Sequence, residues 1–213
     1  MAALRAEPFA VIAPKLPNGM ASTMHLALSD PSGDSAIFQY VGGTLTIHHG
    51  RQFQVMTNSP VYDQQLALNA YWEQIGGVTM LPGTNRAADR FVRASFYIKA
   101  IPQTADVSQA LAGAMSVLRN CSVPIGITTP GQPNISSTIW RVASDQKNKV
   151  YYFDSPFSMT SFAVPLASLD FKPGAPVKKL PMAQGQTYSG NAAERFVVAA
   201  PFAFLGIEAP AAH

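Results

Sequence analysis

Charge is scarce in this chain. Asp, Glu, Lys and Arg together make up 13% of the 213 residues, against 47% hydrophobic. That balance excludes an intrinsically disordered chain, which needs low hydrophobicity and strong net charge. The net charge is +3 and the pI is near 9.1. The only tight basic pair is Lys178-Lys179. No stripe of cations could track phosphates, so no nucleic-acid partner is expected. Cysteine is nearly absent too. Cys121 stands alone, which excludes an internal disulfide, and a lone thiol reads as a buried, inert side chain before it reads as a nucleophile. No apolar run reaches the ~18 residues of a membrane span, so no membrane partner is expected. The opening MAALRAEPFAVIAP does not read as a signal peptide, because its short apolar patch carries an Arg and a Glu before it and is broken by prolines. No phosphate loop, G-x-G-x-x-G or G-x-S-x-G elbow occurs.

Strands and helices are signalled by the spacing of apolar residues. STMHLALSD (22–30), SAIFQY (35–40), TLTIHH (44–49) and FQVMT (53–57) alternate polar with apolar between Gly, Pro and Asp turns. They read as an antiparallel meander of four strands. From Pro60 the period becomes helical, with Val61, Leu68, Tyr71, Trp72 and Ile75 on one face and Gly76-Gly77 as the stop. A second helix is expected over 86–101. A third is expected over 105–120, with Ala110, Leu111, Met115 and Leu118 inward. Strands follow at 138–145 and 150–155 around the turn QKNK, and another at 161–166. Strands, then helices, then strands point to an α+β layered fold. One domain over 1–213 is expected, with its ordered core at about 20–200 and a loose end after 203.

Few side chains are arranged for chemistry. His48 and His49 are neighbours in a strand, so they point to opposite faces and cannot chelate one metal together; no metal or cofactor is expected. His25 reads as a core histidine. In the second helix Arg86, Arg90 and Arg93 share one arc. That stripe is either a solvated edge with Asp89 and Arg93 paired, or a source of one guanidinium facing an anionic or thiolate centre. The corner Thr57-Asn58-Ser59-Pro60 is the most suggestive stretch. Pro60 at the first helical position makes Ser59 the expected N-cap, and Asp63 suits the helix dipole. Asn58 then lies outside the cap with its carboxamide free. An N–H donor at a strand end is a suitable oxyanion-hole group for acyl transfer.

FQVMTNSPVYDQQLALNAYW, LPGTNRAADRFVRASFY and QKNKVYYF resemble the choloylglycine hydrolase family, the penicillin V acylases and bile salt hydrolases among the N-terminal nucleophile hydrolases. The resemblance runs from roughly residue 20 to 155. It implies an αββα sandwich of two antiparallel sheets between helical layers, and hydrolysis of a linear amide of a small molecule. It also implies an N-terminal cysteine nucleophile whose own α-amine is the base, no cofactor, and a homo-oligomer, tetrameric in the family. The motifs of the family place the oxyanion-hole asparagine at Asn58 and the arginine beside the nucleophile at Arg90, with Arg93 the second arginine of that run. The chain starts Met1-Ala2-Ala3-Leu4, so the expectation is the C-terminal two-thirds of the fold without its nucleophile segment. The corresponding function is that of an amide hydrolase that is inactive as this chain alone, from a bacterial cytoplasm or periplasm. The competing expectation is a non-catalytic remnant that keeps the scaffold.

Overall fold

The computed structural model describes residues 25–127, 137–182 and 186–202. The start of the first expected strand, the loop at 128–136 and the end after 203 lie outside the described residues.

Three strands form the first sheet: β1 (His25–Ser29), β2 (Ser35–Val41) and β3 (Thr44–His49), in that order and antiparallel. β2 is central, and Ser35 to Gln39 are buried on both of its faces. In its register Ile37 stands opposite His48, and Ala36 opposite His49. The two histidines therefore do face opposite sides, as the strand period requires. Each meets a carboxylate: His48 Nε2 lies 2.7 Å from Asp63, and His49 Nε2 lies 2.8 Å from Asp34. His25 stands opposite Gln39, half-buried, and burial lowers its pKa.

The fourth expected strand is a correction. Residues 53–57 join no ladder among the described residues. The chain turns at Gly50, where φ is 144° and Phe53 donates its N–H to the Gly50 carbonyl. That turn carries 53–57 away from β3. Phe53, Val55 and Met56 instead pack against Ile37, Tyr62 and Phe91, the apolar cluster between the first sheet and the helices.

Helix α1 spans Tyr62–Ile75, α2 Ala87–Ala100 and α3 Val107–Asn120. α1 packs on α2, α2 on α3, and α3 on the second sheet. The inward face of α1 differs from the expected one. Tyr62 and Gln65 are buried, with Leu66, Asn69 and Trp72 following at helical spacing, whereas Val61, Leu68, Tyr71 and Ile75 are exposed. A glutamine on the core face shifted the true stripe by one position from the purely apolar one. In α3 the buried residues are Met115 and Val117, while Ala110 and Leu118 are exposed. Asp106 caps this helix, accepting the Gln109 N–H at 3.0 Å.

The second sheet runs β4 (Arg141–Asp145), β5 (Val150–Asp154), β6 (Ser161–Pro165) and β8 (Gly190–Asn191), antiparallel except for β6–β8. Two-residue strands β7 (Lys178–Lys179) and β9 (Val197–Val198) pair separately. Thr138 is not part of β4, because its N–H and hydroxyl bond the backbone of Val123. Phe162, Val164 and Ala192 form the second apolar cluster. Its anchor to α3 is ionic: Asp154, 5% exposed, meets Arg141 at 2.6 Å, Arg119 at 3.3 Å and the Ser161 hydroxyl at 2.8 Å. Helices and mainly antiparallel sheets make the chain an α+β protein, as the sequence indicates.

Candidate active site

The corner before α1 is built differently from a serine-capped helix. The N-cap position is Val61, with no side-chain cap, and the helix begins at Tyr62 rather than at Pro60. Ser59 does not cap because the first donor is met from the sheet: the Tyr62 N–H donates to Gln39 Oε1 at 2.8 Å. The Ser59–Pro60 peptide is cis. Asp63 occupies the first turn as expected, where its charge suits the helix dipole, and it also receives His48. The His48 ring packs against both Phe53 and Tyr62, with centroids 5.4 and 4.8 Å away. Burial pushes the Tyr62 phenol up to about 12.

Asn58 and Arg90, 32 residues apart, come together. The Arg90 Nη2 donates to Asn58 Oδ1 at 2.7 Å, and Arg90 Nε donates to the Asn85 carbonyl at 3.2 Å. Arginine has donors and no acceptor, so the bond fixes which end of the carboxamide faces it. Oδ1 turns to the guanidinium, and the Nδ2 amine turns away from it. Asn58 is exposed, and Nδ2 makes no hydrogen bond among the described residues. A cation on the carbonyl oxygen also polarises the amide and makes its N–H a stronger donor.

Arg93 has a different task. It is 8% exposed and donates to the Pro82 and Thr84 carbonyls at 2.8 and 2.9 Å, holding the loop that precedes α2. It does not pair with Asp89, whose carboxylate takes the Thr84 hydroxyl and backbone N–H. The expected stripe thus splits. Arg86 is exposed, Arg90 meets Asn58 and Arg93 is locked in a loop.

Cys121 lies behind α2, half-buried at the end of α3, its thiol 3.6 Å from the Arg90 carbonyl. Burial pushes the thiol pKa up, and the positive charges of Arg93 and Arg90 only partly offset this. Burial likewise lowers the Arg90 pKa, with Cys121 acting to raise it and Arg93 to lower it further. A thiol with a raised pKa is a poor nucleophile at neutral pH. No cluster of three or more His, Cys, Asp or Glu suited to a metal ion occurs among the described residues.

Three polar residues behind the corner escape a reading of the sequence. Gln65 is fully buried, at 0% exposure. Its Nε2 donates to the Thr57 and Pro60 carbonyls at 3.2 and 2.6 Å. The Thr57 hydroxyl is shared between Gln65 Oε1 at 2.8 Å and the Ala87 carbonyl at 2.9 Å. Gln39 holds the helix start. The available signal was their place in the pattern: Gln65 lies three residues after Tyr62, on the same helical face.

The site thus presents an exposed carboxamide held by a guanidinium, at a corner of an α+β layered fold. Comparisons with known proteins identify the family. A sequence model described as "Linear amide C-N hydrolases, choloylglycine hydrolase family" matches residues 7–171. A penicillin V acylase of Pectobacterium atrosepticum is 51% identical over 201 residues, covering 87% of this chain and 54% of that protein. The solved penicillin V acylase of Agrobacterium tumefaciens is 55% identical with a TM-score of 0.80, covering 89% of this chain and 62% of that one. A variant of conjugated bile acid hydrolase from Clostridium perfringens shares the fold, with a TM-score of 0.56 at 20% identity over 72% of this chain and 53% of that one. The chain belongs to the choloylglycine hydrolase family. It spans about half the length of the curated acylase it matches.

Proposed function

We propose that this chain carries the oxyanion-donor side of a linear amide hydrolase of the penicillin V acylase type. The observation that carries the reading is the Arg90–Asn58 bond of 2.7 Å, which turns the Asn58 Nδ2 amine outward as a donor. In the proposed reaction a thiolate attacks the amide carbonyl carbon, and the carbonyl oxygen takes up negative charge. Asn58 Nδ2 donates to that oxygen as its charge develops, and Arg90 keeps the carboxamide aimed while polarising it. The tetrahedral centre then collapses, expelling the amine after it gains a proton and leaving an acyl thioester for water.

In this reading Cys121, half-buried at the end of α3 with its pKa raised, does not serve as that thiolate. The substrate class is a small-molecule amide. The relatives named penicillin V acylase favour a phenoxyacetyl amide over a bile-acid conjugate, since they are more than 50% identical and the bile acid hydrolase only 20%.

Hydrolysis of penicillin V by the enzyme that contains these residues tests the reading. Asn58→Ala is expected to lower kcat on the order of 10²–10³-fold, the usual cost of one oxyanion donor. An unchanged kcat would make Asn58 a corner residue only.

A further inference from the structure

We infer that Gln65 is a positioning residue for the Asn58–Arg90 pair, acting through the backbone on both sides of Asn58. The inference rests on the reading of Asn58 as the oxyanion donor, and it names the device that aims it.

Gln65 is the only polar residue among the described ones with no exposed surface. Its carboxamide orientation follows from the Thr57 and Pro60 carbonyls, which can only accept and so face Nε2. The carbonyls belong to Thr57 and Pro60, the residues just before Asn58 and two after it. One amine therefore pins both ends of a short exposed bend whose middle carries Asn58. The remaining link goes further. The Thr57 hydroxyl is shared between Gln65 Oε1 and the carbonyl of Ala87, the first residue of α2. Arg90 follows Ala87 by three residues, so the same side-chain chain fixes the turn of helix that presents the guanidinium. Gln65 thus joins α1, the corner and the start of α2 at one buried point.

Alternatives within reach do not supply this. Asn58 and Ser59 are exposed, and no described side chain other than Arg90 bonds the Asn58 carboxamide. Gln39 accepts the first N–H of α1, at Tyr62, beyond the bend. Buried networks of this kind hold one geometry when fully satisfied and release it when one member is removed. A displacement of ~1 Å at a catalytic group is enough to cost on the order of 10²-fold in rate.

The test follows the Asn58 side-chain amide by nitrogen–proton NMR on the 213-residue chain, its signal assigned by its loss in Asn58→Ala. In the parent chain the two Nδ2 protons are expected well separated and displaced from free asparagine, because Arg90 holds the carboxamide. In Gln65→Leu, which keeps the volume and removes every bond, the pair is expected to move to the free-asparagine position while signals from the second sheet stay in place. Thr57→Val, which removes only the hydroxyl link, should move it part of the way. If Gln65→Leu does not fold, Thr57→Val alone decides. A glutamine that merely stabilises the corner would lower the melting temperature and leave the Asn58 signals unmoved, and that result would overturn the inference. The readout needs no turnover, so it separates the two readings. Signals that move as expected, in a protein whose Asn58→Ala variant keeps full kcat, would contradict the oxyanion-donor role of Asn58 and leave the positioning role of Gln65 intact.

Discussion

Arg90 and Arg93 are one helical turn apart, yet their surroundings give them opposite roles. Arg90 spends its donors on a carbonyl and on an exposed asparagine, so its removal frees a side chain at the surface. Arg93 is buried, and its removal strands the Pro82 and Thr84 carbonyls that it satisfies. Hydrogen bonds to a charged group contribute about 1.5–3 kcal/mol, and orphaned buried acceptors add to the loss. Arg93→Ala is therefore expected to cost about 3 kcal/mol of stability, read as a lower midpoint in urea unfolding. Arg90→Ala should shift that midpoint by less than about 1 kcal/mol, while lowering kcat of the active enzyme more than tenfold. Equal midpoints for the two variants would contradict the division of roles. The two arginines look alike in the sequence because helical spacing places both on one arc. What separates them is how the loop at 82–85 meets each one: Arg93 is buried against its Pro82 and Thr84 carbonyls, whereas Arg90 takes only the Asn85 carbonyl and reaches out to Asn58, and no periodicity records those partners.

Asp154 joins elements as Gln65 joins the corner. Its carboxylate sits where α3, β4 and β6 converge, bonded to Arg141, Arg119 and Ser161. Burial pushes its pKa up, but the bonds from Arg141, Ser161 and Arg119 outweigh this and hold the carboxyl below its ordinary value. A depressed folded-state pKa stabilises the fold at pH values above the unfolded carboxylate value of ~3.9, and this contribution fades as pH falls through the lower folded value. Melting temperature measured from neutral pH downward should accordingly fall below about pH 4, and Asp154→Asn should be less stable at neutral pH and flatter across that window. A parallel decline in both proteins would exclude Asp154 as the cause. Breaking such a buried pair typically costs about 3–5 kcal/mol. At this scale the sequence was readable wherever apolar spacing was unbroken. β2, β3, β5, β6 and the three helices fall close to their expected spans. The phase of α1 was hidden because Gln65, a polar residue, lies at the centre of its buried face. The strand at 53–57 was misread because alternation shows an extended chain, not a ladder partner. The two-residue strands after 178 are too short for any pattern to reveal.

For the molecule as a whole, family membership was legible from a few stretches of sequence, since T-N-S-P and L-P-G with R-F-V-R are dense motifs. The support beneath them was not, because it depends on which buried atoms meet. The chain by itself is expected to show no hydrolysis of penicillin V, since its single thiol is half-buried with a raised pKa. Turnover by the purified chain that survives Cys121→Ser would contradict that expectation by requiring a different nucleophile. The most direct test of Asn58 as the oxyanion donor is the steady-state kcat for penicillin V of the active enzyme containing these residues, with and without Asn58→Ala, in samples of matched melting temperature. A loss on the order of 10²–10³-fold with KM little changed is expected, because the lost bond forms mainly in the transition state. A kcat within twofold of the parent would contradict it.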